Sequence, residues 1–378
     1  MKTVLILNGQ YLPGYKGGGP IQSCVNIIEN LGSDYKFKVL CADRDYKSDK
    51  QYDGITVNAW NKVGQANVYY MSPDVQCLSG FLKILNDTEY DALYLNGFFS
   101  PIFTIKPLIL RSLGKLKNKQ AKIVITPRGD FTGGLENKKI KKYGYIATVK
   151  LLGLYRNLLW HATSDIEERD IRRLFPNART YMIPNLPAKY LPKKIMTEKK
   201  PGKLRLVFVS RIFPKKNIKY ALEILQQITD GEIVFDIYGP MEDKVYWEEC
   251  LGIIKNMPSN ISVSYCGEVA HDKVSEVFSN YHAFFFPTLG ENYGHVIVEA
   301  MMNNCLCILS KGVTPWDEYI DLLDLGASLS DTIHFIEIIT RLIHADEVHF
   351  EKMIGISNKF ISDRINSEQD IKKYKELF

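Results

Sequence analysis

Short apolar runs alternate with longer amphipathic segments over most of the chain. β-Branched and aromatic residues dominate the short runs, as is typical of buried strands, while the segments between them repeat with helical periodicity. Strands that alternate with helices predict parallel sheets. The predicted strands are 3–7, 37–41, 92–96, 122–126, 180–183, 204–210, 233–238, 261–265, 283–287 and 306–310.

The periodicity lapses between residues 186 and 202, where prolines, lysines and a glycine cluster. This composition is typical of an interdomain linker. We therefore predict two similar α/β domains, at 1–185 and 203–346. A helical tail at 347–378 is expected to pack back towards the first domain.

The composition is that of a globular protein, with 378 residues of which 46% are hydrophobic and 24% charged. The net charge of +5 is unevenly distributed, with +14 in residues 1–200 and −9 in residues 201–378, so the two halves are expected to face different partners. Because the sequence has neither an apolar span nor a secretory leader, and its seven cysteines lack metal-site spacing, we expect a cytoplasmic protein. The absence of a base-stacking motif argues against nucleic acid as a partner.

The most informative segment, residues 283–302, has the pattern of a strand, a glycine-containing loop and a helix. The helix is expected to begin near Gly294, so its free backbone amides would form an anion site beyond the strand. Glu291 in the loop and Glu299 in the helix would then reach different parts of a polyhydroxylated ligand. Alternatively, Glu291 is a partner of the helix dipole and Glu299 is solvated.

Two further segments point to an anionic ligand. Ser210, Arg211 and Lys216 follow the first strand of the second half, where they could clamp a phosphate or simply lie in a solvated loop. In the first half, Gly18 and Gly19 precede a predicted helix, either as a close approach of backbone to a ligand or as a flexible turn.

Together these segments resemble the nucleotide-sugar glycosyltransferases of GT-B fold, specifically the retaining glycosyltransferase family four, or group 1. The resemblance spans almost the whole chain and implies two Rossmann-like domains whose parallel sheets face an interdomain cleft. It is carried by an E-x7-E signature, a diphosphate-binding pair and an amino-terminal glycine loop, which correspond to Glu291 and Glu299, to Ser210, Arg211 and Lys216, and to Gly18 and Gly19.

The resemblance implies transfer of a sugar, with retention, from a UDP- or GDP-sugar to the hydroxyl of a glycan or lipid-linked acceptor, as in surface polysaccharide synthesis. Arg211 and Lys216 would offset charge on the departing diphosphate, Glu299 would bind ribose and Glu291 the transferred sugar. No cofactor and no essential metal are implied. The other donor-binding positions that it implies are Gly239, Gly267, Val269, Asn292, Tyr293, Gly294 and His295.

One position departs from the family pattern. Many relatives carry a histidine after the fourth strand of the first half, where this chain has Arg128 and Asp130. Either residue could contact the transferred sugar or the acceptor, or the pair could form a structural turn. His161 is expected to be a hydrogen-bonded core residue.

Three alternatives stay open at this stage. Residues 137–159 combine lysines with apolar side chains, which favours contact with an anionic membrane or an ordinary amphipathic core helix. Asp43-Arg44-Asp45 could hold a metal–diphosphate pair, although its half lacks the accompanying donor pattern. A non-hydrolysing epimerase and a non-catalytic nucleotide-sugar-binding module are the rival functions.

Overall fold

The computed structural model describes residues 1–131, 139–188, 197–270, 273–365 and 367–378. The chain divides into two compact units. One comprises Met1–Lys189 and Ser367–Phe378, and the other comprises Tyr190–Asn366. Each unit has a sheet with helices packed against it, as the alternation of strands and helices predicts.

The first unit contains an eight-stranded sheet in the order β3-β4-β2-β1-β5-β6-β7-β8, in which β3 and β4 pair antiparallel and the other neighbours pair parallel. Its strands are β1 (Lys2–Leu7), β2 (Tyr35–Ala42), β3 (Trp60–Val63), β4 (Ala66–Met71), β5 (Ala92–Asn96), β6 (Lys122–Thr126), β7 (Leu159–Ala162) and β8 (Arg179–Met182). Its helices are α1 (Gly19–Leu31), α2 (Leu78–Asp87), α3 (Lys106–Ser112), α4 (Lys139–Leu151) and α5 (Asp165–Leu174), and a π-helical turn, Pro101–Ile105, precedes α3.

The second unit contains a six-stranded parallel sheet in the order β11-β10-β9-β12-β13-β14. Its strands are β9 (Lys203–Val209), β10 (Glu232–Tyr238), β11 (Ile261–Gly267), β12 (Ala283–Phe286), β13 (Leu306–Ser310) and β14 (Gly326–Ala327). Its helices are α6 (Ile218–Leu225), α7 (Lys244–Ile254), α8 (Val274–Phe278), α9 (His295–Met302), α10 (Asp317–Leu323), α11 (Thr332–His344) and α12 (Glu347–Arg364).

The last helix, α13 (Ser367–Leu377), returns to the first unit, whereas α12 stays with the second. Tyr374, Leu377 and Phe378 are buried in the apolar cluster that covers one face of the first sheet. The Phe378 ring meets the Tyr94 ring edge to face at 5.6 Å. Apolar burial therefore holds the carboxyl terminus against the amino-terminal unit.

All ten predicted strands are present, with ends that differ from the prediction by at most two residues. Both sheets bury their central strands on both faces, which is why those strands are nearly continuous apolar runs. The structure adds β3, β4, β7 and β14, which the apolar pattern alone did not distinguish.

Candidate active site

The carboxyl ends of three neighbouring strands in the second unit lie close together. The Ser210 backbone N–H donates to the carbonyl of Tyr238 at 3.0 Å, and that of Gly239 donates to Gly267 at 2.8 Å. Gly239 has a φ of +136°, and a β-carbon there would overlap the Ser210 carbonyl oxygen. Glycine is therefore required for this approach of two strand ends.

Arg211 lies beside the end of β9 and keeps its side chain about one third exposed. Its Nη1 donates to Oε2 of Glu242 at 3.1 Å, and its guanidinium carbon lies 4.9 Å from the centre of the Phe213 ring. The ion pair and the ring hold the guanidinium at the sheet edge, where it is accessible to a ligand.

Lys216 ends the 3₁₀ turn Pro214–Lys216, and Asn217 after it has a φ of +60°. The Nζ of Lys216 forms an ion pair with Oε1 of Glu291 and lies 5.4 Å from the centre of the Phe286 ring. Because the two side chains are only 13% and 14% exposed, the pair is largely shielded from bulk water.

The loop from 287 to 294 is fixed by backbone contacts on both sides. The Leu289 N–H donates to the carbonyl of Lys215 at 2.9 Å, and the Glu291 N–H donates to Val313 at 3.0 Å. These bonds bring the turn after β9 and the turn after β12 together. Local sequence patterns did not predict this proximity, because the two partners of the Lys216–Glu291 pair lie 75 residues apart in the sequence.

Helix α9 begins where the loop ends. Gly294 precedes it with a φ of +78° and no side chain caps it, so the helix start presents backbone amides and positive dipole. Glu299, one turn into the helix, is half-buried. Tyr293 packs its ring 4.9 Å from that of His295 and accepts a hydrogen bond on its carbonyl from Nε1 of Trp316 at 2.6 Å.

The remaining donor-side positions lie in several different elements of the two units. Asn292 belongs to the anchored loop, whereas Gly267 ends β11 with a φ of +83°. Val269, just beyond, is half-buried against the core of the second unit. Gly18 and Gly19 lie in the first unit, at the start of α1, where Gly18 has a φ of +65°.

Arg128 is engaged by protein groups at all three guanidinium nitrogens. Nε donates to Asn96 Oδ1 at 2.7 Å, Nη2 donates to the Tyr94 hydroxyl at 2.9 Å, and Nη1 donates to Asn185 Oδ1. The residue has a φ of +55°, a strained conformation that these bonds maintain. Asn96 also donates to Asn8 at 3.1 Å, so the carboxyl ends of β1, β5 and β6 are connected.

Asp130 and Glu167 organise the loops around Arg128. Asp130 Oδ2 accepts from the Phe98 N–H at 2.8 Å, and burial raises the pKa of this carboxyl to about 6. Glu167, fully buried, accepts from the Gly129 N–H at 2.6 Å and from the Thr163 N–H at 2.7 Å. Glu167 is not among the residues predicted from the sequence, although Ser164 three residues before it is the signature of a capping box.

His161 is fully buried beneath this network. Its Nδ1 lies 2.7 Å from the Tyr94 hydroxyl, and its Nε2 lies 2.8 Å from the carbonyl of Ile183. Burial lowers the pKa of the imidazole to about 3, so the ring is neutral at physiological pH. This is the hydrogen-bonded core histidine that the sequence predicts.

The carboxylates of Asp43 and Asp45 both bind neighbouring groups of the protein. Asp43 is buried and forms an ion pair with Nε of Arg44 at 2.8 Å, while Asp45 Oδ2 accepts from the backbone N–H groups of Tyr15 and Lys16 at 3.0 and 3.1 Å. Across the described part of the chain, no three His, Cys, Asp or Glu side chains are grouped so that they could hold a metal ion.

The predicted membrane segment contains α4 and the turn that leads into β7; residues 137 and 138 lie outside the described residues. Tyr143 is half-exposed and Leu151 strongly exposed, whereas Leu154 and Leu158 are buried in the core. Within the described ranges, none of the helices has the length and apolarity needed to cross a membrane.

Solved structures of the same fold align with nearly the whole chain. HepE from Anabaena, solved with UDP and glucose, aligns with a TM-score of 0.71 at 14% identity over 100% of this chain and 99% of its own. Sucrose-phosphate synthase from Thermosynechococcus elongatus aligns with a TM-score of 0.72 at 14% identity over 100% and 98%. A variant of TarM from S. aureus, solved with Fondaparinux, alpha-GlcNAc-glycerol and UDP, gives 0.70 at 13% over 100% and 99%. The fold is GT-B.

The sequence itself narrows the class. The family model described as glycosyl transferases group 1 matches residues 193–353, which contain Arg211, Lys216, Glu291 and Glu299. No curated protein matches the chain significantly. Residues 193–353 lie within the second unit, which therefore contains a group 1 glycosyltransferase domain, as the motifs there predict.

Proposed function

We propose that this glycosyltransferase moves a sugar from a nucleoside diphosphate sugar to an acceptor hydroxyl with retention of anomeric configuration. The Lys216–Glu291 pair supports this most directly, because it places a cation and a carboxylate together at the sheet edge where α9 begins. Neighbours of the same fold were solved with UDP, which favours a UDP-sugar as donor.

The cations of the second unit account for departure of the diphosphate. Arg211 and Lys216, with the amides at the start of α9, would stabilise negative charge as the bond between the anomeric carbon and the phosphate oxygen breaks. They are held in place before the donor arrives, so little reorganisation is needed at the moment of reaction.

The carboxylates account for orientation. Glu291 would accept hydrogen bonds from the transferred sugar and Glu299 from the ribose, which fixes the anomeric carbon relative to the acceptor. The acceptor oxygen forms the new bond on the face that the diphosphate leaves, and a phosphate oxygen of the donor takes the acceptor proton. Neither glutamate forms a covalent bond to the sugar.

In the first unit, Arg128 and Asp130 remain our candidates for contacts to the sugar or acceptor. Every guanidinium nitrogen of Arg128 already has a protein partner, so the side chain is held in place before a ligand binds. Asp130 fixes the Phe98 amide in the same way. We propose a glycan or lipid-linked molecule as the acceptor, in the synthesis of a surface polysaccharide or related glycan.

An anionic membrane is the proposed partner of residues 137–159. The described part of this segment contains the basic helix α4, on which Tyr143 and Leu151 are exposed. Basic and exposed apolar side chains together suit the interface of an anionic membrane. Vesicle sedimentation that does not depend on anionic lipid would contradict this contact.

Transfer with defined stereochemistry is the decisive test. A panel of UDP- and GDP-sugars should first be screened by thermal shift, since a bound donor raises the melting temperature. With the donor found, proton NMR of the product should show the anomeric configuration of the donor. Glu291→Gln and Glu299→Gln should reduce transfer at least about 100-fold, whereas Glu248→Gln, an exposed change on α7, should not. An inverted product, or isomerised free nucleotide sugar without transfer, would refute the proposal.

A further inference from the structure

Two adjoining cavities open at the amino ends of strands β6, β7 and β8 in the first unit. One has a volume of about 590 Å³ and the other of about 660 Å³. They share the wall formed by Gly153, Arg156 and Asn157, in the turn between α4 and β7. Arg128 and Asp130 follow the opposite, carboxyl end of β6, so the cavities are separate from the site described above.

The two cavities are lined by cations and, among the described lining residues, by no carboxylate. Two acidic side chains of neighbouring α5 are paired within that helix, Glu168 with Arg172 at 2.9 Å and Asp170 with Arg173 at 3.0 Å. A carboxylate-free cluster of this kind attracts a phosphate. The lining cations are Arg111, Lys119, Lys150, Arg156 and Arg179.

The rim of the cavities is unusually apolar. Leu151 is 88% exposed and Leu152 is 60% exposed, and both line the larger cavity. Leu113, 63% exposed, lies between the cavity residues Ser112 and Gly114. A small soluble phosphate would leave these leucines in water, whereas a lipid surface would bury them.

The deeper walls fit a ligand with an apolar portion. Trp160 and Phe175 line the smaller cavity, and Nζ of Lys150 lies 5.0 Å from the centre of the Phe175 ring. Arg111 donates from Nη1 to the Arg156 carbonyl at 3.0 Å, which ties the end of α3 to the shared wall. Lys150 and Arg111 are therefore held by contacts with other elements of the first unit.

We propose that these two cavities bind the phosphate headgroups of anionic phospholipids while the exposed leucines enter the bilayer interface. This proposal rests on the membrane contact proposed above. It assigns that contact to the end of α4 and not to the lysines at the start of that helix. It is independent of sugar transfer, because it involves none of the residues assigned to donor or acceptor.

Flotation with phosphatidylcholine vesicles, with and without phosphatidylglycerol, tests the proposal. The intact chain should bind only the vesicles that contain phosphatidylglycerol. Lys119→Gln combined with Arg156→Gln should weaken this binding roughly 30-fold, and Leu151→Ser combined with Leu152→Ser about tenfold or more. All four positions are exposed, so folding should be unaffected. Lys244→Gln combined with Lys255→Gln, two exposed cations of the second unit, is the matched control for the loss of two charges.

The outcomes separate this proposal from its competitors. Binding that survives the lysine–arginine variant, or that falls equally with the control, would overturn the assignment. Stabilisation by inorganic phosphate, without dependence of vesicle binding on the leucines, would overturn the lipid in favour of a soluble phosphate ligand. Sugar transfer to a soluble acceptor should be unchanged in the cavity variants. If the intact chain binds vesicles as expected but transfers no sugar, only the proposed function is refuted.

Discussion

The Lys216–Glu291 ion pair should affect stability and catalysis in different ways. In the free protein, each side chain neutralises the other at a position that excludes most water. During transfer, the proposed partners are the diphosphate for the lysine and the sugar for the glutamate. We therefore expect that Lys216→Met and Glu291→Gln are coupled in the free energy of unfolding and that catalysis does not recover when they are combined.

The expected size follows from burial. An exposed ion pair contributes up to about 1 kcal/mol, whereas breaking a fully buried one costs about 3–5 kcal/mol. Exposures of 13% and 14% place the Lys216–Glu291 pair nearer the buried limit. Each single variant should lose about 3 kcal/mol of stability. The double variant should lose less than the sum of the two, because no charge is left unpaired.

Catalysis should follow another pattern. Removal of one group that stabilises developing charge typically lowers kcat about 100- to 1000-fold. The double variant lacks both this cation and the sugar-binding carboxylate, so its kcat should be at least as low as that of Lys216→Met alone. A loss of folding stability smaller than the sum of the single losses, combined with absent activity, would separate the two roles of the same pair.

Urea unfolding and single-turnover transfer, measured on all four proteins, test this expectation. The matched control is the Lys219–Glu249 pair of the same unit, an ion pair at 2.7 Å whose side chains are 38% and 51% exposed. Its variants should change stability by less than about 1 kcal/mol and leave kcat unaltered. Recovery of activity in the Lys216–Glu291 double variant, or a normal kcat in Lys216→Met, would refute the reasoning.

Other residues give shorter tests. Gly239→Ala should destabilise the second unit by about 2 kcal/mol or more, because its methyl group overlaps the Ser210 carbonyl, whereas Gly252→Ala, in open space on α7, should be neutral or slightly stabilising; equal melting temperatures would contradict this. The pKa of Asp130, raised to about 6 by burial, means that the folded protein keeps a proton that the unfolded chain loses above about pH 4, so this group makes stability fall as pH rises from 4 to 6. In urea unfolding over that range, the free energy of unfolding of the unaltered protein should fall by up to about 3 kcal/mol more than that of Asp130→Asn. The same pH dependence in both proteins would disprove the assignment. His161, with its pKa lowered to about 3, acts in the opposite sense: stability falls as pH drops from 6.5 towards 3, and His161→Asn should weaken that acid sensitivity in the same titration.

The sequence predicted most of the fold because its central strands are buried on both faces. A strand such as β12, with four buried residues in succession, leaves an apolar run that needs no partner to be recognised. The hairpin of β3 and β4 escaped prediction because it lies at a sheet edge, where β3 alternates exposed and half-buried positions. β7 is only four residues long, directly after a segment with helical character.

The candidate site was predictable as separate motifs and not as one arrangement. Glycine loops and charged residues after strands are local signals, so Arg211, Lys216 and Glu291 could be selected from their neighbours alone. Their pairing depends on the order β9-β12 in the sheet, which brings the two turns together across 75 residues. The contacts of Asn96 and Asn185 with Arg128 could not be predicted from neighbouring residues for the same reason, since their partners lie 32 and 57 residues apart in the sequence.

The charge imbalance between the halves illustrates why position matters more than net charge. The second half carries −9, yet the proposed phosphate-binding groups lie there, because two fixed cations and a helix start act over a few ångströms whereas distant surface acids are screened. The first half carries +14, and its clearest carboxylate-free cluster lies at the amino ends of its strands, opposite Arg128. Net charge alone would have placed the nucleotide in the first unit, whereas the arrangement of side chains favours the second and leaves the excess positive charge to serve another partner.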